Sequence, residues 1–180
     1  HNKKQSRLDS DEMKELLTDV ITGDALDDNK KPYARRSNMR DTAIIALLGG
    51  TGIRVSELVG IDLNDIDWEH NCIRIIRKGG NEDIVYFGDE LHRYLEDYIN
   101  YEREPGDDKE KALFVASRKD KGRLTVRSVE RIVSKYGTAT IPSKHLSPHS
   151  LRRTFGTNYY EETSDLYAVA DALGHKNIQV

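Results

Sequence analysis

Apolar positions along this chain fall mostly at helical spacing. Met13, Leu16, Leu17 and Val20 share one face, which predicts a helix capped by Ser10 and running to about Ile21. A second helix is expected from about Ser37 to Leu48. Its Ala43-Ile44-Ile45-Ala46-Leu47-Leu48 run would be buried almost all round, with Gly49, Gly50 and Gly52 ending it. Arg54 to Val59 suits another short helix. The period then changes: Cys72-Ile73-Arg74-Ile75-Ile76 reads as a strand, Lys78-Gly79-Gly80-Asn81 as a turn, and Ile84-Val85-Tyr86-Phe87 as the returning strand. Helix is favoured again from Asp89 to about Glu102, and Leu113-Phe114-Val115 is short and apolar enough for a third, edge strand. Thr125 caps a helix to about Tyr136, Ser147 caps one that opens with Pro148, and Asp165 caps one through Leu173 that Gly174 stops. The expected fold is mainly α with a small antiparallel β-sheet from about Asp67 to Phe87, an α+β arrangement.

Composition narrows the class. With 180 residues, 37% hydrophobic and 33% charged, the chain is long enough to bury a core but very polar outside. No apolar run approaches the length of a membrane span, so no membrane partner is expected. Cys72 is the only cysteine, which excludes an internal disulfide and a cysteine-rich zinc site and fits a cytoplasmic protein. The net charge of −3 hides a strong segregation. Eight acids face one base between Asp9 and Asp28, whereas seven bases face two acids between Arg118 and Lys135. Lys30, Lys31, Arg35 and Arg36 make a second basic patch, and Arg127, Arg131 and Lys135 recur at helical spacing on what would be an exposed side. Such asymmetry predicts one anion-binding face beside acidic outer surfaces.

The stretch Ser147-Pro148-His149-Ser150-Leu151-Arg152-Arg153-Thr154-Phe155-Gly156-Thr157 carries the most chemistry. Leu151 and Phe155 share an apolar face, while His149 and Arg152 project together from another, close to the positive end of the helix dipole. An imidazole beside a guanidinium at that position suits a phosphate group.

Four places follow one another along the chain: Thr51-Gly52-Ile53-Arg54-Val55-Ser56-Glu57-Leu58, Lys78 in its Lys-Gly-Gly turn, His149 with Arg152, and Leu173-Gly174-His175. In order and spacing they resemble the catalytic domain of the tyrosine recombinases, the phage and transposon integrase family, from Asp11 to the end of the chain. The resemblance implies site-specific DNA breakage and rejoining through a 3′-phosphotyrosine, with neither metal nor cofactor, for integration or excision of a mobile element. It implies that Arg54 and Arg152 clamp the phosphate oxygens and that Lys78 protonates the departing 5′ oxygen. His149 would handle the proton of the attacking tyrosine or bond the phosphate, His175 would add one more hydrogen bond, and Glu57 would support Arg54. Lys30, Lys31, Arg35, Arg36, Arg123, Arg127, Arg131 and Arg153 are the expected DNA-binding cations. Arg153 stands where the family often has a second histidine, a change that keeps the positive character.

The implied partners are double-stranded DNA at a specific recombination site and other recombinase protomers, as a tetramer on DNA. Residues 1–7 are expected to be a linker remnant from an N-terminal DNA-binding domain. Residues 8–180 are expected to be a catalytic domain that stops before the nucleophilic tyrosine, which the family places shortly after the Leu-Gly-His histidine. Tyr159, Tyr160 and Tyr167 all precede His175 and read as packing or surface residues. The alternatives are a Xer-like chromosome-dimer resolvase of the same fold and a non-catalytic DNA-binding protein that retains the phosphate-binding groups. The second is disfavoured because Lys78, His149 and His175 exceed what affinity alone requires. A type IB topoisomerase, chemically close, would be expected to have a larger body around the site.

Overall fold

Helix α3, Asn38–Thr51, is the axis on which the other elements pack. Ala43, Ile44, Ile45, Leu47 and Leu48 point in several directions around it and all are fully buried. A helix apolar all round must be surrounded, and α1 (Ser10–Thr22), α5 (Asp89–Asp97), α6 (Val126–Thr140) and α7 (Pro148–Thr163) lie against it. The computed structural model describes residues 7–105, 107, 109–117, 122–163 and 172–174, without the side chains of 157 and 159–163. The expected helix from Asp165 therefore lies outside the described residues, apart from its last turn. The short helices α2 (Lys31–Ala34) and α4 (Val55–Val59) flank α3 in sequence, and strands β1 (Ile66–Asp67), β2 (Cys72–Ile76) and β3 (Glu82–Tyr86) form one antiparallel sheet in that order. The mainly α fold with a small sheet is thus present.

Several boundaries differ from the sequence reading, each for a local reason. Asp9, not Ser10, caps α1. Its Oδ1 accepts from the Glu12 N–H at 2.8 Å while Glu12 Oε1 accepts from the Asp9 N–H at 3.1 Å, a reciprocal pair that Ser10 cannot form because Met13, three residues on, has no carboxylate to return. Helix α3 continues through Gly49 and Gly50 and ends only at Gly52, whose φ of 70° is left-handed. Gly49 lies where α1 crosses: a Cβ there would come within 2.5 Å of Met13 Cε, the end of a flexible side chain. The sheet's third strand is β1, with Ile66 opposite Ile73, and the apolar Leu113-Phe114-Val115 segment instead enters the core, with isolated bridges from Ala112 to Asp62 and from Val115 to Arg123.

The helix expected over Asp89 to Glu102 stops being regular at Tyr98. A single wide turn follows, closed by the Arg103 N–H on the Tyr98 carbonyl at 2.8 Å. That turn brings the Glu102 carboxylate to the start of α3, where it accepts from the backbone N–H groups of Met39 (3.0 Å) and Arg40 (2.8 Å). Two otherwise orphaned helix donors are satisfied from a distant part of the chain.

Tyr98 itself is buried, its ring stacked on Phe114 at 5.6 Å. Its hydroxyl donates to the Leu113 carbonyl at 3.0 Å and accepts from the Val115 N–H at 3.1 Å. Burial, the main cause, pushes the phenol from 10.0 up to about 12. A raised folded pKa gives stability that is complete below the unfolded value and is lost as pH climbs through the folded one, here between about 10 and about 12. Tyr98→Phe should cost about 1–3 kcal/mol near neutral pH, because Leu113 and Val115 lose their partner. It should also lessen the alkaline loss. Urea midpoints of both proteins at neutral and strongly alkaline pH check this; an equal alkaline loss in the two would contradict it.

The first turn of α3 buries charge as well. Asp41 is fully buried, with Arg40 Nε on its Oδ1 at 3.0 Å and Lys135 Nζ 3.9 Å from its Oδ2. Arg40 also donates to the Val115 carbonyl at 3.0 Å. Lys135 therefore departs from the exposed row expected for α6: it turns inward, over the Tyr136 ring at 4.6 Å, because Asp41 offers a partner on that side. Arg127 and Arg131 remain exposed on the outer face.

Candidate active site

Helix α7 begins as its sequence requires. The Ser147 carbonyl accepts from the Ser150 and Leu151 N–H groups, and the Ser150 hydroxyl accepts from the Ser147 N–H at 3.1 Å, with Pro148 in the first helical position. Leu151 is fully buried, so the helix is held by its apolar face and Arg152 is aimed at the C-terminal end of α3. There Arg152 Nη1 donates to the Gly52 carbonyl, and Nη2 donates to the Leu173 carbonyl at 3.0 Å. Two fixed carbonyls set the plane of the guanidinium.

Gly52 serves the site in a second way. Its left-handed turn ends α3 and makes Arg54, two residues on, the cap residue of α4. A Cβ at Gly52 would meet the Phe155 ring and lie 2.7 Å from Leu173 Cδ2, so no larger residue fits this crossing unmoved. The Arg54 guanidinium is exposed and makes no hydrogen bond or ion pair with the described residues. Burial foremost, then the Arg54 cation, brings Arg152 down to about 10, with Glu57 opposing and Arg77 adding to the fall. Arg152 is therefore still charged at neutral pH, and Arg54 is close enough to feel it. Two guanidinium groups side by side favour an anion between or over them.

Glu57 reaches Arg54 through the backbone: its Oε1 accepts from the Arg54 N–H at 2.7 Å, which fixes the start of α4. Its side-chain partner is Arg77, with Nη1 at 3.5 Å from both carboxylate oxygens. Arg77 was not among the residues singled out from the sequence. The signal was the strand period: Ile73 and Ile75 face the core, so Arg77 two further on also turns inward.

Lys78 follows Arg77 at the tip of the β2–β3 hairpin. Gly79 and Gly80 both have positive φ (84° and 81°), the tight turn is closed by the Arg77 N–H on the Asn81 carbonyl at 2.7 Å, and Lys78 is left exposed. His149 is exposed on the first turn of α7. The structure thus brings Arg54, Glu57 and Arg152 together and places the Lys78 turn beside them through Arg77. His175 lies outside the described residues, as do Tyr167 and the side chains of Tyr159 and Tyr160.

The expected DNA-binding cations divide. Lys30, Arg35, Arg36, Arg127, Arg131 and Arg153 are exposed, and Lys31 pairs with Asp28 at 3.2 Å. Lys30, Lys31, Arg35 and Arg36 sit before the N-terminal end of α3, on the order of 20 Å along its axis from Gly52; Arg35 and Arg36 line an open cleft there with Tyr101 and Glu104. Arg123 is exposed too, and its guanidinium donates to the Val59 carbonyl at 2.7 Å and the Ile61 carbonyl at 3.2 Å and pairs with Asp62, so it also closes the loop after α4. Among the described residues no helix is long and apolar enough to cross a membrane.

Known proteins share the family and the fold of this chain. The phage integrase family matches residues 6–180. Tyrosine recombinase XerC of Corynebacterium glutamicum is 37% identical over 187 residues, covering 98% of this chain and 59% of its own. The crystal structure of XerA recombinase superposes with a TM-score of 0.77 at 26% identity, over 95% of this chain and 56% of that one. The XerH recombinase, solved in a pre-cleavage complex with its difH substrate, gives 0.78 at 24% identity, over 96% and 48%, and shares the fold. The chain spans about half to three fifths of the length of these proteins. With a family match over residues 6–180, 37% identity over 98% of the chain and a shared fold, this chain belongs to the phage integrase family and carries the catalytic-domain fold of the tyrosine recombinases.

Proposed function

We propose that this domain breaks and rejoins double-stranded DNA at a specific site through a 3′-phosphotyrosine. The observation that carries this reading is the meeting of Arg54 and Arg152 at the end of α3, two cations from separate parts of the chain beside one turn. In the reaction a tyrosine oxygen attacks the phosphorus, the bond to the 5′ oxygen breaks, and that oxygen leaves with a proton supplied by Lys78. The tyrosine's own proton goes to His149 or to solvent. Attack of a 5′ hydroxyl on the phosphotyrosine reverses the step and joins new partners. Arg54 and Arg152 offset the charge that builds on the non-bridging oxygens, the largest contribution such a site can make. His175 belongs to the same proposal as one further donor to the phosphate. The nucleophile is a tyrosine downstream of Leu173-Gly174-His175, residues 1–7 form a linker from a DNA-clamping domain, and four protomers act together on DNA in the cytoplasm.

The biological task is integration or excision of a mobile element. A Xer-like resolvase with the same chemistry is the second reading, favoured by the 37% identity to XerC. Both readings make the same chemical prediction. A protein comprising these residues and the downstream tyrosine is incubated with a nicked suicide duplex whose site has been selected from a random pool. A protein–DNA adduct on a denaturing gel, mapped to the downstream tyrosine, is expected. Specific binding without any adduct would establish the non-catalytic reading instead, and an adduct on Tyr159, Tyr160 or Tyr167 would overturn the assignment of the nucleophile.

A further inference from the structure

Arg77 is the most connected side chain near the site, yet the chemistry above gives it no task. It ends β2, is nearly buried, and joins four separate stretches of chain. Nε donates to Asp83 Oδ2 on β3 at 2.8 Å, which ties the two hairpin strands together just below the turn. Nη1 lies 3.5 Å from both oxygens of Glu57, the residue that fixes the Arg54 backbone. Nη1 also donates to the Leu173 carbonyl at 3.0 Å, and Nη2 reaches the Ala172 carbonyl at 3.5 Å. The Leu173 carbonyl is the same one that accepts from Arg152. One backbone oxygen is therefore shared by Arg77 and Arg152.

Gly174 shows how closely the chain is drawn over this group. Its φ is 72°, and a Cβ there would come within 2.6 Å of Arg77 Nε and 2.7 Å of its Cζ. The backbone before His175 lies directly on the guanidinium. A general stabilising ion pair would need none of this convergence; a fork with fixed geometry that spans two carboxylates and two carbonyls does.

We propose that Arg77 is a positioning residue for the cleavage step: by clamping the base of the β2–β3 hairpin to Glu57 and to residues 172–174, it sets where Lys78 stands relative to the phosphate held by Arg54 and Arg152. Lys78 is the next residue in the chain, exposed on a turn with two positive-φ glycines, and has no side-chain contact of its own among the described residues to orient it. Its placement must come from the backbone, and Arg77 anchors that backbone. The inference rests on the recombinase reading and assigns Arg77 no contact with DNA.

Arg77→Lys keeps the charge but replaces the fork by a point donor that cannot span all of these partners. It should slow single-turnover cleavage at saturating protein by roughly 30-fold, within the range for a displaced catalytic group, and leave DNA affinity within about threefold of wild type. The decisive readout is a suicide substrate whose scissile 5′ oxygen is replaced by sulfur. A thiolate leaves without needing a proton, so a defect transmitted through Lys78 should shrink to about threefold or less. Arg77→Gln and Gly174→Ala, which test the clamp from the neutral side and from the chain above it, should show the same oxygen-specific defect. Thermal melts of all three check that the proteins compared are folded. Equal slowing of both substrates in the folded variants would overturn the proposal, because Arg77 would then support the site as a whole; no slowing of either would overturn it as well. If the wild-type protein itself makes no adduct with either substrate, the recombinase reading fails first, and that outcome is read before any variant.

Discussion

Arg152→Ala lowers the single-turnover rate of DNA cleavage by about a hundredfold or more, the loss expected when one strong donor to a developing oxyanion is removed. DNA affinity falls far less, because many backbone contacts share that load. The structure adds two conditions to this result. The Arg152 guanidinium is buried and bonded to the Gly52 and Leu173 carbonyls, so alanine also leaves both carbonyls without this donor, at about 1–3 kcal/mol of stability. Arg152→Lys separates the two effects: charge is retained, but one ammonium cannot serve both carbonyls and a phosphate together. It should melt closer to wild type and still cleave poorly. Arg127→Ala with Arg131→Ala is the opposite case. These exposed α6 cations should weaken binding and reduce the slope of log affinity against log salt by about two, while cleavage at saturating protein stays nearly unchanged. Parallel loss of binding and cleavage in Arg152→Ala would favour a purely DNA-binding protein. An unchanged salt slope in the α6 variant would show that this face does not meet DNA.

Asp41→Leu should destabilise the fold by about 3–5 kcal/mol, the cost of removing one partner from a buried charge cluster. Arg40 would lose its Nε acceptor and Lys135 the carboxylate oxygen that lies 3.9 Å from its Nζ. The cluster is nevertheless costly to keep. Burial, the dominant influence, raises the Asp41 carboxyl above 3.8 against the opposing pull of Arg40 and Lys135. A raised acid pKa means stability that is complete below 3.8 and is given up as pH rises through the folded value, so ionising Asp41 is an expense that its two cations offset. Replacing all three charges by apolar residues of similar volume, as Arg40→Met with Asp41→Leu and Lys135→Met, should therefore recover most of what the single change loses. Urea unfolding of the single and triple variants decides it. A triple variant no more stable than Asp41→Leu would mean that the cluster is net favourable and not merely self-consistent.

Local chemistry accounts for what could be read early. The strand at Cys72–Ile76, the turn with its two glycines, the Thr125 cap and the Ser147-Pro148 start of α7 are all properties of neighbouring residues, and each is found where its residues lie. The boundaries that moved were decided by partners far along the chain. Glu102 supplies the acceptor for the Met39 and Arg40 N–H groups at the start of α3, and the core takes Leu113–Val115 away from the sheet. Lys135 was assigned to the outer row by its spacing alone, but helical spacing cannot report that a buried carboxylate waits on one side.

The candidate site divides in the same way. The residue types and their order were legible in the sequence, because phosphate chemistry needs guanidinium, ammonium and imidazole groups and the chain carries them in recognisable local settings. Which of them meet was decided by tertiary structure. Gly52 must turn left-handed for its carbonyl to reach Arg152, a hundred residues away, and for Arg54 to emerge beside it. Folding gave Glu57 a second arginine, Arg77, because the inward phase of β2 delivers that side chain to α4 while the Arg54 side chain stays on the surface. Arg123, as basic as its neighbours in sequence, is held by the carbonyls of Val59 and Ile61 in the loop after α4. Sequence specifies the donors and acceptors available to a chain; the long-range packing of an apolar helix such as α3 determines which pairs come within bonding distance, since that burial outweighs the preference of any one polar contact.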